Sequence, residues 1–123
     1  MNTDCRFKEF KLDIKTNNGF PEIEVRTAQE NKSQFRLIDV RNPDEFVGEL
    51  GHIEGAELVT LGPQLQNFLE SADKSQSILF VCRSGGRSGQ ATHVSRQMGF
   101  QNTMNMIGGM LEWNRLQFPV VYK

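Results

Sequence analysis

The chain has little cysteine, no large excess of either charge and no long hydrophobic run. Its 123 residues include only two cysteines, Cys5 and Cys82, too few for a disulfide framework. Lys and Arg number 14 and Asp and Glu 15, which gives a formal net charge of −1. This balance argues against a nucleic-acid-binding protein, which would carry a basic excess. It also argues against intrinsic disorder, which usually combines low hydrophobicity with a large net charge.

No apolar stretch approaches the ~20 residues that a membrane-spanning helix needs. Residues 78–82 form one of the longest such stretches, and residues 1–9 contain no apolar core of a signal peptide. We therefore expect a soluble, cytoplasmic protein with free thiols and no membrane partner. The length fits a single domain, since domains commonly have ~100 to 150 residues.

Short strand-like and helix-like patterns alternate along the chain. Leu65, Phe68 and Leu69 have the spacing of one buried helix face, and residues 77–81 are continuously apolar and β-prone after Ser77. The predicted strands are 10–15, 23–25, 36–40, 57–59, 77–81 and 103–106, and the predicted helices are 27–32, 43–48, 63–71, 87–98 and 110–116. This alternation predicts an α/β domain with a mostly parallel central sheet and helices on both faces.

The candidate site follows the clearest strand, because sites in open α/β sheets form beyond the carboxyl ends of the strands. A cysteine stands at this strand end, and a loop with two glycines leads from it into a helix. The candidate residues are Cys82, Arg83, Ser84, Gly85, Gly86, Arg87 and Ser88. Such a loop directs backbone N–H groups toward one point and favours an anion there.

A thiolate is the anion that this arrangement favours. Lowering a thiol pKa from about 8.5 to about 6.5 requires about 2.7 kcal/mol of preference for the charged form. A helix N-terminus contributes about 0.3 to 1 kcal/mol, whereas each hydrogen bond to a charged group contributes about 1.5 to 3. We therefore expect the loop amides to supply most of the stabilisation of a Cys82 thiolate.

The loop resembles the active-site loop of rhodanese-type sulfurtransferases, a cysteine followed after four residues by Arg, Thr or Ser. Three further segments resemble the signatures of that family in the right order. They are residues 37–41 with Glu45 and Phe46, residues 51–56, and residues 108–110 with Trp113 and Pro119. The resemblance covers roughly residues 20 to 121, and it implies a rhodanese-like domain over 20–123 that follows an extension over 1–19.

The resemblance implies a double displacement through a persulfide on Cys82. The sulfur donor would be a small anion such as thiosulfate, and the acceptor a thiol or a protein. The amides from Arg83 to Ser88 would hold the outer sulfur. Arg83 and Arg87 would attract and orient the donor, with Arg87 better placed to brace the end of the loop. No cofactor and no metal would be required.

Two other functions remain open. Phosphatases and arsenate reductases of the related cell-cycle phosphatase type have five residues between the cysteine and the arginine, whereas four separate Cys82 from Arg87. A non-catalytic module that binds a partner or senses oxidants is the other alternative. Independently of the function, Cys5 could act as a resolving thiol for an oxidised Cys82, although an incidental cysteine is the simpler interpretation.

Several polar residues near the signatures are interpreted as structural. Arg41 and Glu45 are four apart and can pair, while Asp39 can bond nearby backbone. We expect His52 to be packed and hydrogen-bonded, and His93 to lie on the surface. Ser88 could donate its hydroxyl to the sulfur, or it could cap the helix that follows.

Overall fold

The computed structural model describes residues 14–16 and 18–123, and within these it contains five strands and five α-helices. The strands are β1 (Glu22–Glu24), β2 (Arg36–Asp39), β3 (Glu57–Leu58), β4 (Ser77–Val81) and β5 (Asn102–Ile107). The α-helices are α1 (Val25–Asn31), α2 (Pro43–Phe46), α3 (Pro63–Ser71), α4 (Gly86–Gln97) and α5 (Gly109–Arg115), and a short 3₁₀ turn covers Lys32–Gln34. Residues 10–13 of the predicted strand over 10–15 lie outside the described residues, and Lys15 forms an isolated antiparallel bridge with Glu22.

All five strands are parallel and follow the order β1-β5-β4-β2-β3. The apolar strand β4 is therefore central, with β5 on one side and β2 on the other. The carboxyl ends of these three strands lie together at one edge of the sheet. Chain segments that are distant in sequence meet there, which places the loop after β4 among the ends of its neighbours.

Two hydrophobic cores cover the two faces of the sheet. Leu79 and Val81 of β4 belong to one core with residues of α1 and α5, whereas Ile78 and Phe80 belong to the other with residues of α3 and α4. Alternate side chains of one strand thus enter opposite cores, which explains why β4 is apolar on both faces. The prediction of a parallel α/β domain with helices on both faces is confirmed.

Element boundaries agree best where the pattern is strong. The predicted bounds of β4 and α3 are those observed, and Leu65 and Leu69 are buried as expected. The first strand and helix lie one to two residues earlier than predicted, because Val25 already begins α1. Among the described residues, no helix is long and apolar enough to cross a membrane.

Candidate active site

Cys82 directly follows the central strand and is almost completely buried, with 1% of its surface exposed. The residues on either side of it have different surroundings: Val81 lies within the hydrophobic core, while Arg83 is exposed. Cys82 therefore sits where the sheet ends and the loop begins.

The loop after Cys82 turns its backbone toward the sulfur. Gly85 has a φ of +107°, a conformation that side chains disfavour, and its N–H donates to Cys82 Sγ at 3.0 Å. The Ser88 hydroxyl lies 3.2 Å from the same sulfur. Helix α4 starts at Gly86 with Gly85 as its N-cap, so Ser88 is in the first turn and is not the cap.

The pKa of Cys82 lies below the ordinary value of a thiol. Burial raises this pKa, but hydrogen bonds from the Ser88 hydroxyl and from the N–H groups of Ser88, Gly85 and Ser84 together lower it by more. The loop amides and one hydroxyl therefore favour the thiolate against the cost of burying it. The Arg87 guanidinium also interacts with the sulfur charge, since the pKa of Arg87 is raised, chiefly by Glu45 and in smaller part by Cys82.

The N-terminus of α5 holds the other side of the loop. The N–H groups of Met110 and Leu111 donate to the carbonyl oxygens of Cys82 and Arg83, at 2.9 and 3.0 Å. Gly109 has a φ of +58°, and a Cβ at this position would lie 2.5 Å from both carbonyl oxygens. Only glycine permits this close approach, which accounts for the Gly108-Gly109 pair noted in the sequence.

Arg87 is held by a carboxylate from α2. Its two terminal nitrogens donate to the two carboxylate oxygens of Glu45, both at 2.8 Å. The pair brings the pKa of Glu45 down to about 2, mainly through the hydrogen bond from Arg87. A further contact fixes this carboxylate, because the Asn42 N–H donates to Glu45 at 3.0 Å. Arg87 thereby ties the first turn of α4 to α2.

The expected pairing of Arg41 with Glu45 is wrong. The buried Arg41 instead pairs with Asp39, at 2.9 and 2.8 Å, and also donates to the carbonyl oxygen of Gly51. Asp39 also accepts a hydrogen bond from the backbone N–H of Arg41, which is the predicted bond to nearby backbone. The side chains of Arg41 and Asp39 are each 1% exposed, so this buried ion pair supports the end of β2. Glu45 binds Arg87 instead.

Two buried polar residues near the sulfur were not singled out from the sequence. Asn105 of β5 accepts the Ser88 hydroxyl through Oδ1 and donates through Nδ2 to Glu22 of β1, at 2.8 Å. Glu22 and Asn105 are directly opposite each other in the sheet register. The signal that could have revealed them is a polar residue within an apolar strand, as Asn105 is between Met104 and Met106.

The remaining candidates lie where the loop faces solvent or packs nearby. Arg83, Ser84 and Gly86 are exposed. His52 is buried, stacks on the Phe46 ring and hydrogen-bonds through Nδ1 to the carbonyl oxygen of Phe46. His93 is exposed, so both histidine predictions are confirmed. Within residues 14–16 and 18–123, no three His, Cys, Asp or Glu side chains group as metal ligands.

Comparisons with known proteins identify the family. The rhodanese-like domain family matches residues 23–116. The chain is 31% identical over 103 residues to the thiosulfate sulfurtransferase GlpE of Vibrio cholerae, covering 82% of this chain and 94% of that protein. It is 33% identical to thiosulfate sulfurtransferase 18 of Arabidopsis thaliana, and the match covers 72% of this chain and 74% of that protein. It is also 35% identical to the uncharacterised protein slr1261 of Synechocystis, of which it spans only 55%.

Solved structures share the fold. A rhodanese-related protein from Thermoplasma volcanium superposes with a TM-score of 0.70 at 24% identity, covering 83% of this chain and 98% of that one. The human single-domain sulfurtransferase TSTD1 gives a TM-score of 0.68 at 24% identity, with 79% and 97% covered. The family match over residues 23–116 includes the loop after Cys82 and the glycine-containing segments 51–56 and 108–110. It agrees with the fold that these solved structures share. The chain therefore belongs to the rhodanese-like domain family, among whose named members are sulfurtransferases.

Proposed function

We propose that the protein is a sulfurtransferase that moves a sulfane sulfur from a small anionic donor to a thiophilic acceptor through a persulfide on Cys82. The observation that carries this proposal is the convergence of the Gly85 N–H and the Ser88 hydroxyl on Cys82 Sγ. Because the thiolate is the reactive form of cysteine, a loop that lowers the pKa of Cys82 prepares a nucleophile.

In the first half-reaction, the Cys82 thiolate attacks the outer sulfur of thiosulfate. A new S–S bond forms on Cys82, the bond between the two thiosulfate sulfurs breaks, and its electron pair leaves with sulfite. The products are a Cys82 persulfide anion and sulfite dianion, so the total negative charge is conserved. The names of the Vibrio and Arabidopsis relatives support thiosulfate as the donor.

In the second half-reaction, an acceptor removes the outer sulfur. A thiolate or cyanide attacks this sulfur, the S–S bond breaks, and its electron pair returns to Cys82 as thiolate. The two half-reactions are separate in time, so the kinetics are ping-pong. Neither step requires a metal or an organic cofactor.

The loop offers further donors for the outer sulfur. The first helical bond of α4 runs from the Gly89 N–H to the Gly85 carbonyl oxygen, so the N–H groups of Gly86 and Arg87 have no acceptor within the helix. These amides are the ones that we assign to the persulfide anion, in the way that an oxyanion hole binds oxygen.

The two arginines divide their tasks. Arg83 is exposed and attracts the dianionic donor toward the loop. Arg87 is occupied by Glu45, so it braces the first turn of α4 and adds positive charge beside the sulfur. Of the two expected tasks of Arg87, orienting the donor and bracing the end of the loop, we retain the second.

A paired assay tests the function. We expect the wild-type protein to transfer sulfur from thiosulfate to cyanide and to leave an aryl phosphate intact, since four residues between Cys82 and Arg87 make a narrow loop. The Cys82→Ser variant should be inactive in both assays. Aryl-phosphate hydrolysis without sulfur transfer would favour the phosphatase alternative. Inactivity with every sulfur donor, alongside normal alkylation of Cys82, would favour the binding or redox-sensing module.

A further inference from the structure

A continuous chain of buried polar side chains runs from the active-site sulfur to the edge strand β1. The Ser88 hydroxyl lies 3.2 Å from Cys82 Sγ and 2.5 Å from Asn105 Oδ1, and Asn105 Nδ2 lies 2.8 Å from Glu22. Asn18 then donates to the second oxygen of Glu22 at 3.0 Å. Ser88, Asn105 and Glu22 are 0%, 2% and 5% exposed, so solvent does not substitute easily for a lost partner.

The carboxylate fixes the orientation of the asparagine. A carboxylate only accepts hydrogen bonds, so the Asn105 amide must turn its NH₂ toward Glu22 and its oxygen toward Ser88. The proton between the two oxygens of Ser88 and Asn105 is therefore the Ser88 hydroxyl proton. A hydroxyl has one proton, and the sulfur requires the same proton when it is a thiolate.

We propose that Glu22 and Asn105 are positioning residues that compete with the Cys82 sulfur for the hydroxyl proton of Ser88. When Cys82 is a thiol, Ser88 donates to Asn105 and presents its lone pairs to the S–H group. When Cys82 is a thiolate, Ser88 turns to the sulfur and the buried Asn105 oxygen loses its donor. The competition keeps the thiolate less stable than the loop alone would make it.

The same switch operates along the reaction, a consequence that rests on the proposed sulfur transfer. When Sγ is bonded to a second sulfur and no longer carries the charge, the Ser88 proton returns to Asn105. The Ser88 hydroxyl therefore alternates between two acceptors during each turnover, the Cys82 thiolate and the Asn105 oxygen.

Other charged groups surround the loop and stay unchanged in the test. They are Arg83 and Arg87 on the loop and α4, Asp39 and Arg41 at the end of β2, Glu45 on α2, and Glu112 on α5. We call the hydrogen-bonded chain of Ser88, Asn105 and Glu22 the relay. At its far end, His93 lines the same surface cavity as Glu22. A substitution that alters the charge of Glu22 must therefore be compared with one that does not.

The test measures the pKa of Cys82 from the pH dependence of its alkylation by iodoacetamide. The alkylated Cys82 peptide is followed by mass spectrometry, so Cys5 does not contribute, and the result does not depend on sulfur transfer. Asn105→Ala removes the competitor without changing any charge. It should lower the pKa by about one unit, the effect of one hydrogen bond to a charged group.

The effect must depend on Ser88. In a Ser88→Ala background, Asn105→Ala should leave the pKa unchanged, while Ser88→Ala alone should raise it. Asn102→Ala on the same strand is the matched control, because the Asn102 side chain is exposed and donates to the distant carbonyl oxygen of Ser75, and it should not shift the pKa. An equal fall with and without Ser88, or no fall at all, would overturn the proposal.

Glu22→Gln gives a second route that preserves side-chain volume. The glutamine amide can donate as well as accept, so it releases the Asn105 amide to turn and weakens the competition. The fall in the pKa of Cys82 should be larger with Ser88 present than in the Ser88→Ala background, and the Ser88-dependent part should not exceed the fall caused by Asn105→Ala. If the two falls are equal, the effect is the loss of a charge alone and the relay does not exist. Thermal unfolding establishes which variants are folded, and either route decides the question by itself.

Discussion

At the scale of single residues, the proposed sulfur transfer depends on one sulfur atom and the donors around it. Gly85 and Ser88 contact Cys82 Sγ directly, whereas Arg87 acts from the side through its charge. The proposed nucleophile is therefore separable from the residues that lower its pKa, and we expect substitutions to have effects on activity of two very different sizes.

Replacing the nucleophile should remove activity and leave the fold. Cys82→Ser nearly keeps the volume of the side chain but not the thiolate, so sulfur transfer should fall to background while thermal unfolding changes little. Cys5→Ser is the matched control, and it should retain full transfer, consistent with the interpretation of Cys5 as incidental. Cys5 lies outside the described residues, and its loss would reduce activity only if it resolved an oxidised Cys82.

Replacing Arg87 should cause a partial loss. Arg87→Ala removes the brace to Glu45 and the positive charge beside the thiolate. Because hydrogen bonds to charged groups contribute about 1.5 to 3 kcal/mol, kcat/KM for thiosulfate should fall about 10- to 100-fold. Arg96→Ala, at the other end of the same helix, serves as the control and should keep kcat/KM unchanged. A loss as complete as that of Cys82→Ser would place Arg87 in the chemical step itself.

At the scale of elements, the loop is shaped by what packs against it. Helix α5 donates two N–H groups to the loop carbonyls, and α2 supplies Glu45. The sequence predicted these helices and the loop, because helix-start residues and glycine placement are local signals. It did not predict which helix contacts which strand end, since that depends on the sheet order.

The close approach of α5 yields a test on stability. In Gly109→Ala, the new methyl group would lie 2.5 Å from the carbonyl oxygens of Cys82 and Arg83, in a left-handed conformation. Overpacking costs about 1 to 3 kcal/mol and the left-handed conformation about 1 to 2, so the free energy of unfolding should fall by about 2 to 5 kcal/mol.

Gly55→Ala separates these two costs in urea unfolding. Gly55 also has a positive φ, of +91°, but a methyl group at this position would meet no described atom within 4 Å. It should lose only about 1 to 2 kcal/mol. Equal losses in the two variants would mean that α5 moves away from the loop without cost, and the proposed support for the active site would be wrong.

At the scale of the whole molecule, the parallel sheet gathers distant residues into one site. Glu22 and Asn105 are 83 positions apart in the chain but adjacent across β1 and β5. The loop motif after the central strand predicted the candidate site at Cys82, because the residues of that loop are consecutive in the chain. The relay could not be predicted in this way, since no local pattern states that the edge strand pairs with the last strand.

The ion pairs of the whole molecule predict its stability in acid. The folded-state pKa of Glu45 is about 2, below its ordinary value of 4.5, and the pKa values of Glu57 and Glu112 are also lowered by their arginine partners. A lowered carboxyl pKa stabilises the fold above the unfolded-state value, and this stabilisation is lost as the pH falls toward the folded-state value. The melting temperature should therefore decrease progressively from about pH 4.5 toward pH 2.

Glu45→Gln tests the contribution of this pair. The variant should melt below the wild-type protein at pH 7, and the difference should shrink as the pH approaches 2. The exposed Glu54→Gln serves as the control and should follow the wild-type curve. A difference that stays constant between pH 7 and pH 2 would show that Glu45 stabilises the fold without its charge.

The most direct test of the central claim is intact-protein and peptide mass spectrometry after incubation with thiosulfate. We expect a gain of about 32 Da on the peptide that contains Cys82, and this gain should disappear when cyanide is added. Cys82→Ser should show no gain. A wild-type Cys82 that reacts with iodoacetamide but never gains sulfur from thiosulfate or a persulfide donor would contradict the account.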